Sequence, residues 1–242
     1  MNDTAQTDMQ AWVGRKSTEH DLVTLASLDR LAATFDRDDP PYKKGDPVPP
    51  MWHMMYFPML APLSKLGVDG LPEKGGLLPP IPLPRRMFAG AKTTYHRPLR
   101  AGDEIRRDGE IASIVEKQGR TGPLVFVKTV LKIYGEDGAH AVTEEQDVVY
   151  RELDTSGQAP PPVPSEIPDP DWRRSISPPP VMLFRYSALT FNNHRIHYDH
   201  PYTTQEEGYP GLLVHGPLIA TCLAELVRDS APDRTVHSFA YR

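Results

Sequence analysis

Arg185-Tyr-Ser-Ala-Leu-Thr-Phe-Asn-Asn-His-Arg-Ile-His-Tyr-Asp199 and, shortly after it, Gly211-Leu-Leu-Val-His-Gly-Pro-Leu-Ile-Ala-Thr-Cys-Leu-Ala-Glu225 decide how the rest of the chain is read. The first stretch crowds Asn192, Asn193, His194, His197 and Asp199 together. The second is an apolar run of helical type whose start is marked by His215, Gly216 and Pro217. Proline suits the first helical position, where its missing N–H would have had no partner. Glycine before it lets the backbone approach a ligand, and the free N–H groups of a helix start carry partial positive charge. Histidines beside such a start place a proton donor or acceptor next to an oxyanion site. That combination suits chemistry on a carbonyl or thioester.

These residues resemble the motif of the MaoC-like, R-specific enoyl-CoA hydratase family of hotdog-fold proteins. That motif runs roughly aromatic-Ser-Ala-x-Thr-Gly-Asp-x-Asn-Pro-x-His, with His-Gly-x-Leu later on the central helix. Tyr186-Ser187-Ala188-Leu189-Thr190, Ile196-His197 and His215-Gly216-Pro217-Leu218 match it, whereas Asn192, His194 and Arg195 stand where the family has Asp, Asn and Pro. The wording Phe-Asn-x-His-Arg-Ile-His-Tyr-Asp is similar to the branch of mesaconyl-C4-CoA hydratase (3-methylfumaryl-CoA hydratase) and mitochondrial type-2 hydroxyacyl-thioester dehydratases. The resemblance runs from Trp12 onward. It implies syn addition or loss of water across the α,β double bond of an enoyl thioester, with coenzyme A present only as part of the substrate and no metal or redox cofactor. It also implies His197 as the acid–base residue. An amide does not titrate, so Asn192 is expected to orient the water or the thioester. His194 and Asp199 are then candidates for the second proton-handling group, Asp199 also being counted with the substrate-binding residues. The Gly216 N–H is expected to bind the thioester oxygen as enolate charge builds, a contact worth roughly 3–4 kcal/mol where tested. His215 is expected to cap or pack beside the substrate, and Tyr186 and Ser187 read as fold residues.

Outward from there, Thr18 to Asp36 repeats apolar residues at Leu22, Leu25, Leu28, Leu31 and Ala32, the spacing of one amphipathic helix. Met51-Trp-His-Met-Met-Tyr-Phe-Pro-Met-Leu60 is of helical residue type and is expected to be the central helix of the first half, ended by Pro58. Leu63 to Pro84 reads as an irregular loop. It ends in Arg85 and Arg86, candidates for holding a carboxylate or phosphate, such as the free carboxylate of a dicarboxylic acyl group. Strands are predicted over Lys92–Arg97, Glu104–Glu116, Leu124–Tyr134 and Ala141–Tyr150, with a hairpin turn at Glu136-Asp137-Gly138. Glu144, Glu145 and Asp147 are expected to face solvent.

The fold class is therefore α+β, a double hotdog in which an antiparallel sheet wraps a central helix in each of two units. The expected units are 1–153, an N-terminal and non-catalytic hotdog, and 181–242, the C-terminal hotdog with the catalytic motif. A Pro-rich linker over 154–180 joins them. After the last helix only Thr235 to Arg242 remains, a single strand. The second unit is expected to be truncated, or completed by a partner, since an open sheet edge invites pairing.

A net charge of −5 and a pI near 6.0 argue against nucleic acid as a partner. No segment approaches the ~20 apolar residues of a membrane span. The acidic N-terminus resembles neither a secretory signal nor a transit peptide. The single Cys222 excludes an internal disulfide and suits a reducing cytoplasm, where it reads as a core residue. His194, His197 and His200 share a three-residue spacing, but Pro201 follows and no Cys lies near, so no metal is expected. Partners reduce to an acyl-CoA substrate and a second copy of the chain, as a dimer. Two rivals stand beside the hydratase: an acyl-CoA thioesterase and a non-catalytic acyl-binding subunit of a heteromeric dehydratase. Fold alone does not separate them.

Overall fold

Alternation in the middle of the chain builds the sheet. The computed structural model describes residues 9–72, 76–119, 122–152 and 169–242. Nine elements matter: β1 (Lys16–Leu22), α1 (Leu25–Thr34), β2 (Arg85–Tyr95), β3 (Glu104–Gly119), β4 (Gly122–Tyr134), β5 (His140–Arg151), α2 (Pro180–Thr190), α3 (Gly216–Ser230) and β6 (Ser238–Tyr241). In β4, Val125, Val127, Thr129, Leu131 and Ile133 alternate inward as the period-two pattern requires. The strands form one antiparallel sheet in the order β1-β3-β4-β5-β2-β6. Its architecture is α+β.

Three apolar clusters hold the helices and loops to this sheet. The largest joins Leu28 and Leu31 of α1, Leu183 and Tyr186 of α2, Leu218 of α3 and Trp52 to Ile105, Ile133 and Val142 of the strands. A second covers Ile111, Ile114, Val125 and Val127 with Ile81 and Leu83 of the long loop, so the loop supplies core as well as connection. The third seats Ala220 and Ala224 of α3 on Met51, with Phe239 and Tyr241 of β6 packed beside them. Thus α3, which carries His215 and Gly216 at its start, is fixed from two sides.

Polar contacts lock the same helix. Buried Glu225 accepts a hydrogen bond from Trp52 Nε1 at 2.8 Å and pairs with Arg37. Arg37 also meets Asp39 at 2.7 Å and Asp229 at 3.0 Å, and Arg228 meets Asp39 at 2.9 Å.

Several sequence expectations are corrected here. The expected helix over Thr18–Asp36 divides into β1 and the shorter α1. Thr24 caps α1 by accepting from the Ser27 N–H at 3.2 Å, and the polar stretch before it pairs with β3 as an edge strand. Met51 to Leu60 is not a helix but one 3₁₀ turn, Trp52–Met55. Met51 and Phe57 stand at φ of 68° and 57°, left-handed positions that bound the turn, and Pro58 follows. Glu144 does not face solvent; it is 4% exposed. The final strand does not stand alone: β6 pairs with β2, the edge of the first half's sheet. Gly90 makes that possible, at φ 157° on a β-bulge, because a Cβ there would lie 2.8 Å from the Tyr241 carbonyl oxygen. Of the expected linker over 154–180, residues 154–168 lie outside the described residues.

Candidate active site

The loop between α2 and α3 is built residue by residue. Phe191, at φ 51°, ends α2 in the left-handed conformation and turns the chain. Asn192 Oδ1 then accepts the His194 N–H at 3.0 Å, an Asx turn that fixes the loop and leaves the Asn192 amide donor available. The first half clamps the next residues. The Arg195 N–H donates to the Asp69 carbonyl at 2.8 Å, and Arg195 Nη1 donates to the Val68 carbonyl at 2.8 Å. Gly70, at φ 83°, lies so close to the loop that a Cβ would stand 2.1 Å from the Asn193 carbonyl oxygen.

Asp199 is spent on this clamp. Its Oδ2 accepts from Arg195 Nε and Nη2 at 2.9 and 2.7 Å, and its Oδ1 accepts the Tyr202 N–H at 3.1 Å, where one π-helical turn begins.

Three histidines gather behind the loop. His197 Nδ1 lies 2.8 Å from the Leu213 carbonyl oxygen. A carbonyl only accepts, so Nδ1 carries the proton and Nε2 is the basic nitrogen. The His197 and His215 rings stack, centroids 3.7 Å apart at 22°, and His194 meets His197 edge-on at 5.5 Å. His215 Nε2 lies 2.8 Å from Ser187 Oγ, and its ring packs on Tyr186 at 5.1 Å. Burial pushes His197 down to about 4, against the Leu213 carbonyl, which favours the charged form. Burial and the neighbouring imidazoles take His215 to about 3. His194 is lowered too, chiefly by burial, with Asp69 and Glu207 opposing and Arg86 and Arg85 adding. All three are neutral at pH 7. Ser187 and Tyr186, read from sequence as fold residues, form the seat of His215; helical spacing toward a histidine far along the chain was the only available signal.

Gly216, the first residue of α3, is exposed, and a Cβ there would meet nothing within 4 Å. As the first residue of the helix it has an N–H with no acceptor inside the helix. Arg85 pairs with Glu207 at 3.5 Å, and Arg86 lies against the Tyr150 hydroxyl. Both sit near enough to His194 to be felt by it.

In front of the loop lies a cavity of about 230 Å³ whose wall includes Asn192, Tyr186, Pro217, Arg107, His53 and Glu144. Tyr186 thus lines the cavity and also packs on His215 of the histidine stack. His53 Nε2 and Glu144 Oε2 are 3.3 Å apart and both side chains are buried. Burial pushes the Glu144 carboxyl up, but the hydrogen bonds from His53 and Gln146 hold it below the usual carboxylate range. This pair escaped the sequence reading because its members lie on a 3₁₀ turn and a strand far apart in the chain. An open groove of about 790 Å³ shares Phe57, Pro58, Met59 and Pro72 with the cavity and reaches Lys65 and Arg86.

Among the described residues no group of three or more His, Cys, Asp and Glu side chains is arranged to hold a metal ion. Among the described residues, no helix is long and apolar enough to cross a membrane.

Comparisons with known proteins complete the picture. Residues 51–242 match the family described as hydroxyacyl-thioester dehydratase type 2. The chain is 47% identical, over 97% of its length and 83% of the relative's, to mesaconyl-C4-CoA hydratase of Chloroflexus aurantiacus. It is 27% identical, over 92% of its length and 83% of the relative's, to the mitochondrial hydroxyacyl-thioester dehydratase type 2 of Schizosaccharomyces pombe. A MaoC-like dehydratase structure superimposes with a TM-score of 0.60 at 16% identity, covering 97% of this chain and 83% of that one. That likeness shows the MaoC-like fold.

Proposed function

We infer the reaction from one premise: the chain belongs to the hydroxyacyl-thioester dehydratase type 2 family. It is an enoyl-thioester hydratase or dehydratase, moving water onto or off the α,β double bond of an acyl-CoA. The substrate we propose is mesaconyl-C4-CoA, supported by the 47% identity to a hydratase of that name.

In the hydration direction, His197 Nε2 takes a proton from water as the oxygen bonds to the β-carbon. The π electrons move to the thioester oxygen, where the Gly216 N–H and the Asn192 amide donate. Collapse of the enolate returns a proton to the α-carbon. The observation that carries this reading is the fixed tautomer of His197, neutral and with its proton committed to the Leu213 carbonyl. Arg85 or Arg86 is proposed to meet the free carboxylate of a dicarboxylic acyl group. The groove that reaches Lys65 and Arg86 is proposed to take the coenzyme A arm.

We also propose two hotdog units, over 1–153 and 181–242, a homodimer and a cytoplasmic setting. The single Cys222 and the pairing tendency of sheet edges support the last two. Size-exclusion chromatography with light scattering at several concentrations tests the dimer, and a monomer throughout refutes it.

The test of function is loss of enoyl-thioester absorbance with mesaconyl-C4-CoA and crotonyl-CoA. Wild type should turn over, and His197→Ala should lose about 10²–10⁴-fold. Replacing both Arg85 and Arg86 should raise KM for the dicarboxylic substrate more than for crotonyl-CoA; equal effects refute their role. Free-thiol release without hydration would mark a thioesterase. No turnover by folded wild type would mark a binding subunit.

A further inference from the structure

Resting on the hydratase reading, we propose that His53, held by Glu144, is a second proton-transfer residue of the site, acting where Asn192 offers no titratable group. The chemistry needs a group that moves a proton on the face of the cavity where Asn192 stands, and an amide moves none. His53 and Asn192 both line the 230 Å³ cavity, together with Pro217 at the start of α3. Tyr186, in the same wall, packs on His215, which stacks on His197.

The geometry of the pair is that of an imidazole oriented by a carboxylate. Glu144 Oε2 is 3.3 Å from His53 Nε2, and its Oε1 is fixed by the Gln146 amide at 2.6 Å. A carboxylate only accepts, so Nε2 carries the proton and His53 Nδ1 is left as a lone-pair acceptor. That nitrogen is buried with no hydrogen-bond partner. The ring is held edge-on to Tyr95 at 5.9 Å, whose hydroxyl accepts the Met51 N–H at 2.8 Å, so the 3₁₀ turn bearing His53 is pinned. His215 Nδ1 is also without a partner, but His53 lines the cavity, and a buried histidine ordinarily has both nitrogens satisfied. His53 presents one satisfied and one bare.

In the dehydration direction the α C–H bond breaks, its proton passing to His53 Nδ1 and its electrons to the thioester oxygen. The enolate then reforms the C=O bond and the α,β double bond as the β C–O bond breaks. The leaving hydroxide departs as water with the same proton, passed on from the His53 imidazolium through His197 Nε2, and hydration is the reverse. Atoms and charge balance with no further reactant. His53 is the catalytic residue here, and Glu144 is a positioning residue acting through it.

The test uses the whole chain with crotonyl-CoA and mesaconyl-C4-CoA. His53→Ala should lose at least 100-fold in kcat with KM changed less than threefold, while retaining the wild-type circular dichroism spectrum. Free imidazole, small enough for the cavity, should restore activity tenfold or more in a saturable manner. Glu144→Gln keeps the shape but weakens the orientation, and should lower kcat about tenfold. The double variant His53→Ala/Glu144→Gln should no longer respond to imidazole. Activity of His53→Ala within threefold of wild type, or its loss without imidazole rescue, overturns the proposal while leaving a wild-type hydratase intact. A wild type inactive on every enoyl thioester overturns both readings at once.

Discussion

Glu225 offers a sharp test of how the helix start is held. Its side chain is buried and uses both oxygens: Oε1 accepts Trp52 Nε1–H at 2.8 Å, and Oε2 pairs with Arg37 and, at 3.6 Å, with Arg228. Glu225→Leu removes both. Trp52, 1% exposed, then has an indole N–H without an acceptor, a cost of about 1–3 kcal/mol. Arg37 loses one carboxylate but keeps Asp39 and Asp229, so the 3–5 kcal/mol typical of breaking a buried pair is not reached in full on that side. Together we expect about 3 kcal/mol. For a chain of 242 residues that lowers the melting temperature by roughly 6–12 °C. Glu225→Gln retains an acceptor for Trp52 and should cost only about 1 kcal/mol, or roughly 2–4 °C. Differential scanning calorimetry of the two variants at pH 7 reads the difference. Equal melting temperatures for Gln and Leu would refute the claim that the indole hydrogen bond, rather than charge, dominates at this site. A Leu variant as stable as wild type would refute the anchoring of α3 altogether.

The other expected outcomes are briefer. Gly70→Ala should cut kcat/KM tenfold or more without touching a reacting group, because its Cβ must displace the Asn193 carbonyl and the φ of 83° is itself unfavourable for alanine; wild-type kinetics would show the clamp to be irrelevant. Ser187→Ala leaves His215 Nε2 unpaired in the core, which should cost about 1–3 kcal/mol in a urea titration. For pH, the folded chain holds His197 near about 4 and His215 near about 3, against an ordinary value of 6.5. The unfolded chain therefore binds more protons below pH 6.5, and stability falls as pH drops from about 6.5, through about 4 for His197 and on to about 3 for His215. Each histidine contributes a slope of at most about 1.4 kcal/mol per pH unit. Melting temperatures of His197→Gln that follow the wild-type pH curve would show that His197 does not carry this dependence. The acidic limb of activity should likewise sit near the folded value of His197, not near 6.5.

Much of the sheet was legible because β4 alternates cleanly and its buried side agrees with that period, whereas β3 shifts register between Ile111 and Ser113 and β5 buries the adjacent Ala141 and Val142. The edge strand β1 was not, since Lys-Ser-Thr-Glu-His-Asp-Leu has no apolar face and takes its structure from pairing with β3. The apolar run from Met51 misled for a different reason. Its residue types suit a helix, but left-handed Met51 and Phe57 are set by long-range contacts such as the Tyr95 hydroxyl on the Met51 N–H. At the site, the spacing from Asn192 to His197 and the His215-Gly216-Pro217 start could be read directly, because those residues are local to one loop and one helix end. The tautomer of His197 could not, since Leu213 supplies it. Nor could the His53–Glu144 pair, whose partners are joined only by the folding of the sheet. Asp199, a plausible proton carrier in the sequence, is occupied by Arg195 one helical turn away.

The stacking of His197 on His215 has a spectroscopic consequence. Two nearly parallel imidazoles with centroids 3.7 Å apart lie within each other's ring current. Their carbon-bound protons should resonate upfield of those of a free histidine in a proton spectrum. Any ligand that tilts or spreads the pair would move both signals together, so the molecule carries its own magnetic gauge of what enters the site.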